Sequence, residues 1–379
     1  MKNVYLASDS MITSLGMNTG DNMRMLYAGN TGISLLEDKK IASAPVPASR
    51  VDWGKVNTPF EGHPKKHTQL EKLILLTVKD ALLHTSISPE DPRTVLVFST
   101  TKGNIDLLEN DDFPQKRLYL HAMASFISSE LDSPNKPIVV SNACISGVLA
   151  INTAQQLLEQ GKYDHAIVIG VDLITGFVLS GFQAFKAISE RPCKPYDESR
   201  DGITLGEGCG VMVLTTDPVL SMGVRVISGA TSNDANHISG PSRTGDGLHL
   251  TIKKTLEYAK IDGFDTVDCI SSHGTATPYN DEMESRAFAL AGLSEVPLHS
   301  LKGFWGHTLG AAGVIESIAA IHALKSQMLL GTCGYETQGV SQPLNVTPNT
   351  YKSTLPLQTC LKTASGFGGC NAAVLFALS

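Results

Sequence analysis

The sequence predicts an α/β fold of two pseudo-equivalent halves, on three observations. Short apolar runs of β character alternate with stretches of helical period. A helical stretch starting at Ser146 is echoed by another starting at Ala312. Each half closes with a glycine-rich turn feeding an apolar strand, GEGCGVMVL from Gly206 and GFGGCNAAVLFAL from Gly366.

The runs Val95–Phe98, Ile138–Val140, Ala166–Ile169, Val211–Leu214, Cys269–Ile270 and Ala373–Phe376 are too short for helices and end in Gly, Pro or polar residues, so they predict strands. Gln69–His84, Ser146–Glu159, Leu248–Lys260, Glu284–Leu290 and Gly313–Met328 carry the helical spacing. This alternation predicts βαβ units and a largely parallel sheet covered on both faces. In the repeat, SGVLAINTAQQLLEQ lies against AGVIESIAAIHALKS, setting Gly147 against Gly313, Val148 against Val314, Ala154 against Ala320 and Leu158 against Leu324. Small residues at the start and apolar ones inside suit a helix buried across a sheet. The seam is expected near residues 220–230, dividing a unit 1–225 from a unit 226–379. Ser228–Gly247, the loop richest in Gly, Ser and Asn, falls beside it.

Composition narrows the function classes. With 379 residues, 42% hydrophobic and 18% charged, the chain is globular rather than disordered, collagen-like or coiled-coil. A net charge of -7 argues against a nucleic-acid or anionic-membrane surface as its main business. No apolar run reaches the roughly 20 residues of a membrane span. The opening MKNVYLASDSMITSLG shows no cleavable signal pattern, because Asp9 interrupts its apolar stretch. The seven Cys form no CxxC pair, so neither a disulfide framework nor a Cys-rich zinc module is expected, and a reduced cytoplasmic compartment is. GEGCG runs into a strand rather than a helix, so it is not a dinucleotide loop.

The chemistry concentrates at three strand ends. PIVVSNACISG reads as strand, turn and helix with Cys144 at the elbow. There the helix N-terminus favours thiolate and backbone N–H groups can hold an oxyanion. CISSHGTAT places His273 after a strand, and SLKGFWGHTLGAAG places Lys302 and His307 ahead of a buried helix. Both His are followed by small residues that let a ligand approach. A zinc site from Cys144, His273 and His307 lacks a fourth ligand; no metal and no cofactor are expected.

At these residues the sequence resembles the β-ketoacyl-acyl carrier protein synthases of the thiolase fold, and within them the Cys-His-His elongating type. Five motifs carry the resemblance in order over nearly the whole chain: NACISG, CKPYDESRDGITLGEG, HGTATPYND, LKGFWGHTLGAAGVIES and GFGGCN. The resemblance implies a layered αβαβα arrangement. It implies decarboxylative Claisen condensation of an acyl group, held on Cys144, with malonyl-acyl carrier protein, in fatty acid or polyketide and polyene-type synthesis. His273 and His307 are implied to polarise the malonyl thioester carbonyl, and one of them to poise the thiol. Lys302 and Glu316 are implied to orient that pair. The N–H groups of Cys144 and Phe367 would form the second oxyanion hole, with Phe367 gating the acyl channel. Thr275 and Thr277 match positions that bind the pantetheine arm, and Leu179, Phe182 and Ile105 are candidates for the acyl wall. Lys65 and Lys66 are the candidate carrier-protein contacts, since an acidic carrier seeks a local basic patch. Asp281 is expected to cap a helix at Glu282, and Asp197 and Arg200 to pair with each other.

The sequence departs from the pattern where Phe182–Pro195 is shortened and where Phe304 and Trp305 precede His307, both taken to border the substrate approaches. Either a homodimer or a heterodimer with a related, non-catalytic chain-length-determining chain is compatible with the motifs. A degradative thiolase is the weaker alternative, because Cys370 lacks the CxG turn.

Overall fold

The computed structural model describes residues 2–63, 65–108, 112–237 and 240–379. Its main sheet has ten strands, in the order Leu298–His299, Cys269–Ser271, Thr359–Gly366, Cys370–Leu378, Val224–Asn233, Val4–Ile12, Gly208–Thr215, His165–Asp172, Thr94–Ser99, Ile138–Val140. Reading outward from its middle, either way, gives the same sequence of pairings: two antiparallel, then two parallel. The halves join through a short antiparallel pairing, Val4 with Val226 and Tyr5 with Arg225. The sheet is therefore mixed rather than largely parallel, because each half returns on a hairpin-type strand beside its first.

Alternation along the strands sorts side chains into layers. Ala166 and Val168 enter one apolar cluster while Ile167 and Ile169 enter another, as the period of two in a strand requires. The first cluster is central: it gathers Val148 and Ile151 of helix Ser146–Glu159 and Val314 and Ile318 of helix Ala312–Lys325 between strands of both halves. The second lies under helix Gln69–Leu82 and the third, with Leu248, Leu361 and Leu375, under helix Asp246–Ile261. The result is α, β, α, β, α. Each fully buried Leu or Ile contributes about 1.5–3 kcal/mol. Thr68 and Glu71 cap Gln69–Leu82 with a reciprocal pair of bonds.

The repeat has a direct meaning. The two central helices cross at Gly147 and Gly313: a Cβ on Gly313 would lie 2.4 Å from Val148 N and 2.8 Å from Gly147 C. No residue with a side chain fits that crossing.

Several strands escape a reading by pattern. Val4–Ile12 buries Ser8, Asp9 and Ser10, whose polarity hides it; Asp9 accepts from Thr19 and pairs with His322, and Ser10 donates to Asp80. Val224–Asn233 runs as a strand into the stretch expected to be loop, of which 238–239 lie outside the described residues. Thr359–Gly366 carries a buried Lys362 at its centre.

Candidate active site

Cys144 sits where strand Ile138–Val140 turns into helix Ser146–Glu159, and the turn is tight enough to put Ala143 at φ +43°. Ser146 secures it, its Oγ donating to Ala143 O at 2.6 Å and accepting from Asn142 N at 2.7 Å. Left-handed backbone at a non-glycine residue costs on the order of 1–3 kcal/mol and recurs at functional sites. Leu309 (φ +53°) and Ala276 (φ +62°) repeat it beside the two His segments.

His273 leaves the end of strand Cys269–Ser271 with its main chain gripped on both sides. The Glu284 carboxylate accepts from His273 N at 2.9 Å and Gly274 N at 2.7 Å, and Lys302 Nζ donates to His273 O. His307 is laced to the CKPYDESRDGITLGEG segment, its N–H donating to Thr204 O at 2.7 Å and its carbonyl accepting from Gly206 N at 3.0 Å. Gly206 is required there, because a Cβ would lie 2.0 Å from Trp305 O. The Leu309 N–H donates to His307 Nδ1 at 3.2 Å, which leaves the proton on Nε2. That Nε2 is buried and without a partner among the described residues, a donor awaiting an acceptor.

Residues remote in sequence meet here. One ligand atom from each of Cys144, His273 and His307 lies within 4.8 Å of the others, and the imidazole centroids are 5.2 Å apart at 82°. Burial holds both imidazoles far below the ordinary histidine value, with the Lys302 ammonium adding to it, and His307 falls to about 3. Both rings are therefore neutral at physiological pH. Burial also pushes the Cys144 thiol up to about 11, while Lys302 pulls the other way and the Phe367 N–H donates to the sulfur. The thiolate expected from the helix N-terminus is thus outweighed in the resting site, and the thiol needs a proton acceptor.

Two cavities meet at Cys144. One, of about 420 Å³, is lined by Cys144, His273, His307, Thr275 and Thr277, with Phe367 at its edge. The other, of about 250 Å³, is apolar apart from Thr101 and Lys102 and includes Phe177, Val178, Phe182 and Phe367. Phe367 stands between them, its ring 5.7 Å from Phe182 and 5.4 Å from Phe185.

Behind the imidazoles, Glu316 bridges two lysines. Lys302 Nζ reaches Oε1 at 2.9 Å and Lys362 Nζ reaches Oε2 at 2.5 Å. Burial alone would raise the Glu316 carboxyl, but the two ammonium groups hold it at about 2.

Other expected residues stand elsewhere. Leu179 packs with Val178, Ile105 and Leu309 behind the apolar cavity instead of lining it. Phe304 and Trp305 are core residues, not neighbours of the substrate approach. Lys65 and Lys66 are exposed but matched, Lys65 to Asp112 at 3.3 Å and Lys66 to Glu130 at 2.7 Å, and neither lines either of these two cavities. Asp281 is no cap: the helix is Pro278–Leu290, and the carboxylate accepts from Thr275 N and Tyr196 N. Arg200 faces Asp281 at 3.9 Å, and meets Asp197 only at its carbonyl. Sequence reasoning missed Glu284 and Lys362: Glu284 sits in the polar run NDEMESR and gives no signal, whereas Lys362 is a charge inside the strand run Thr359–Gly366.

The sequence profile of the beta-ketoacyl synthase N-terminal domain matches residues 1–218, and that of the beta-ketoacyl synthase C-terminal domain matches residues 222–336. The 3-oxoacyl-[acyl-carrier-protein] synthase 2 of Vibrio cholerae is 30% identical over 65% of this chain, a match spanning 63% of that protein's own length. The enzyme of the same name from Rhizobium meliloti is 26% identical over 99% of this chain and 98% of its own. Among solved structures, the ishigamide ketosynthase/chain length factor superposes with a TM-score of 0.89 at 23% identity, over 100% of this chain and 99% of that one. The ketosynthase ApeO, in complex with its chain length factor ApeC from Xenorhabdus doucetiae, superposes with a TM-score of 0.84 at 22% identity, over 100% and 98%.

Proposed function

Because the chain belongs to the β-ketoacyl synthase family, we propose that it catalyses decarboxylative condensation of an acyl thioester with malonyl-acyl carrier protein. The observation that carries the reading is the convergence of one thiol and two neutral imidazoles at the junction of two cavities. In the first half-reaction Cys144 Sγ attacks the acyl carbonyl, a C–S bond forms, and the C–S bond to the carrier's pantetheine breaks. The thiol proton passes through an imidazole to the departing pantetheine sulfur. His307 already holds its proton on Nε2, which leaves His273 as the acceptor.

In the second half-reaction the malonyl C–C bond to the carboxylate breaks, CO₂ leaves, and the electron pair moves onto the thioester oxygen as an enolate. The His307 Nε2–H, buried and with no partner among the described residues, suits that oxygen, and His273, switched to the tautomer that carries its proton on the nitrogen facing the cavity, supplies the second donor. The enolate carbon then attacks the acyl carbonyl on Cys144. Collapse of the adduct expels the Cys144 thiolate and releases 3-oxoacyl-acyl carrier protein. Thr275 and Thr277, joined at 2.9 Å on the wall of the larger cavity, suit the pantetheine arm. The unit 1–225 would thus supply the nucleophile and the unit 226–379 the two imidazoles.

The carrier partner and the dimer belong to this proposal. A heterodimer in which this chain is the active subunit is the second reading, favoured by its likeness to ketosynthases solved with chain length factors. No described helix is long and apolar enough to cross a membrane. Intact-protein mass spectrometry after incubation with a panel of acyl-acyl carrier proteins tests the reading. Acyl mass on Cys144 is expected; labelling that survives Cys144→Ala overturns it.

A further inference from the structure

Three fully buried charges lie together behind the imidazoles. Lys302, Lys362 and Glu316 are each at most 1% exposed, which leaves one positive charge in excess within this trio; the next carboxylate, the buried Glu284, is pushed up to about 7 by burial and offsets it only in part. A buried net charge is costly, so a role for it is worth asking after. Lys302 and Glu316 already neutralise one another. The excess is Lys362, which pairs in register with Ser271 on the neighbouring strand.

Lys362 Nζ makes two contacts: Glu316 Oε2 at 2.5 Å and Ser272 O at 2.9 Å. Lys302 makes the matching pair one residue along, to Glu316 Oε1 and His273 O. Two lysines on one carboxylate therefore hold two successive carbonyls, and the second belongs to His273. The charged and titratable groups around Lys362 are Glu316, Lys302 and Glu284, with His299, His273 and His307 on the remaining sides. All three imidazoles are held below their ordinary range by burial first and by the lysines second. The excess charge thus lies beside the imidazoles that would meet an enolate oxygen.

We propose that Lys362 is a positioning residue of the decarboxylation step, fixing the Ser272 carbonyl at the entry to His273 and supplying a positive field, only partly offset by Glu284, behind the two imidazole donors. Such a field is preorganised, costs no rearrangement during reaction, and acts in a water-poor site. The inference rests on the condensation reading, and it separates the two half-reactions. Acyl transfer to Cys144 uses the thiol, the Phe367 N–H and His273 only as a proton acceptor, whereas decarboxylation gathers negative charge at both imidazoles.

Removing Lys362 leaves the matched pair Lys302–Glu316, so Lys362→Met orphans no buried charge. Lys362→Gln keeps a hydrogen-bond donor and removes the charge. For both, malonyl-acyl carrier protein decarboxylation is expected to fall roughly 10- to 100-fold in kcat, less than loss of a direct oxyanion donor, with KM nearly unchanged. Acylation of Cys144, read by intact mass, should fall far less than decarboxylation. The acid limb of the decarboxylation profile should move to higher pH, because the imidazoles lose a repelling charge. Folded variants with the parent's decarboxylation rate and pH profile overturn the proposal. So does a Gln variant as fast as the parent beside a slow Met variant, which would leave only a hydrogen-bonding role. If Lys362→Met does not fold, Lys362→Gln decides by the same two readouts. A parent protein that acylates Cys144 but never decarboxylates malonyl thioester overturns the condensation reading itself, and that result appears before any substitution is made.

Discussion

Gly313→Ala perturbs one contact between two buried backbones. The added methyl would sit 2.4 Å from Val148 N, 2.8 Å from Gly147 C and 2.9 Å from Gly147 Cα. None of these is the yielding end of a side chain. Restoring an ordinary separation of about 3.4 Å requires the helices to part by roughly 1 Å. Overpacking of this kind costs about 3 kcal/mol. With an unfolding entropy of about 2.1 cal/mol/K per residue, a chain of 379 residues unfolding as one unit would lose about 4 °C in Tm. The functional effect is larger, because Cys144 lies just ahead of one helix and His307 just ahead of the other. A misplacement of about 1 Å between reacting groups can cost on the order of 100-fold in rate. Thermal unfolding together with the rate of acyl transfer to Cys144 measures both. Gly20→Ala is the control: its methyl meets only Asn18 Oδ1, at 3.4 Å, so neither quantity should fall. A Gly313→Ala protein that melts and acylates like the parent refutes the claim that this crossing sets the site.

Three further outcomes are expected. Cys144→Ala should abolish acyl labelling and leave Tm within about 1 °C, since it removes only a sulfur from a cavity edge; a melting loss of many degrees would show a structural thiol instead. His307→Ala should slow malonyl decarboxylation by about 100- to 1000-fold, the usual cost of one oxyanion donor, and Cys144 acylation far less; equal losses in both would contradict the division of roles. The decarboxylation profile should show no limb near pH 6.5, because both imidazoles stay neutral far below it. The same depression makes stability fall as pH drops below about 6.5, where the unfolded chain takes up protons that His307 refuses in the fold until about pH 3. A titration near 6.5 in rate would remove the neutral-imidazole premise.

The nucleophile elbow and both His segments were legible because small residues surround each of them, an unusual composition for a strand end. The central helices were legible through the pairing of Gly147 with Gly313, which turns out to be their point of contact. Strands whose apolar pattern is broken were not legible. Val4–Ile12 looks polar because Asp9 and Ser10 have partners at His322 and Asp80, and partners distant in the chain leave no local trace. Thr359–Gly366 was hidden by Lys362 for the same reason. The roles of Phe304, Trp305 and Leu179 were misjudged because closeness in sequence to a site says nothing about which way a side chain faces. The charge state of Cys144 was misjudged because a helix terminus is a local feature, whereas the desolvation that opposes it depends on everything packed around the sulfur.

The aromatic partition between the two chambers bears on the order of events. A hydrocarbon tail parked in the narrower chamber and a malonyl arm occupying the wider one would approach the same sulfur from opposite faces. On the proposed reaction, one carrier would depart and another dock without dislodging the growing product, as in a lock with two doors. Phe367, which lines both chambers, would be the leaf they share. Because it rests on Phe182 and Phe185 of a single segment, whatever shifts that segment alters both doors at once.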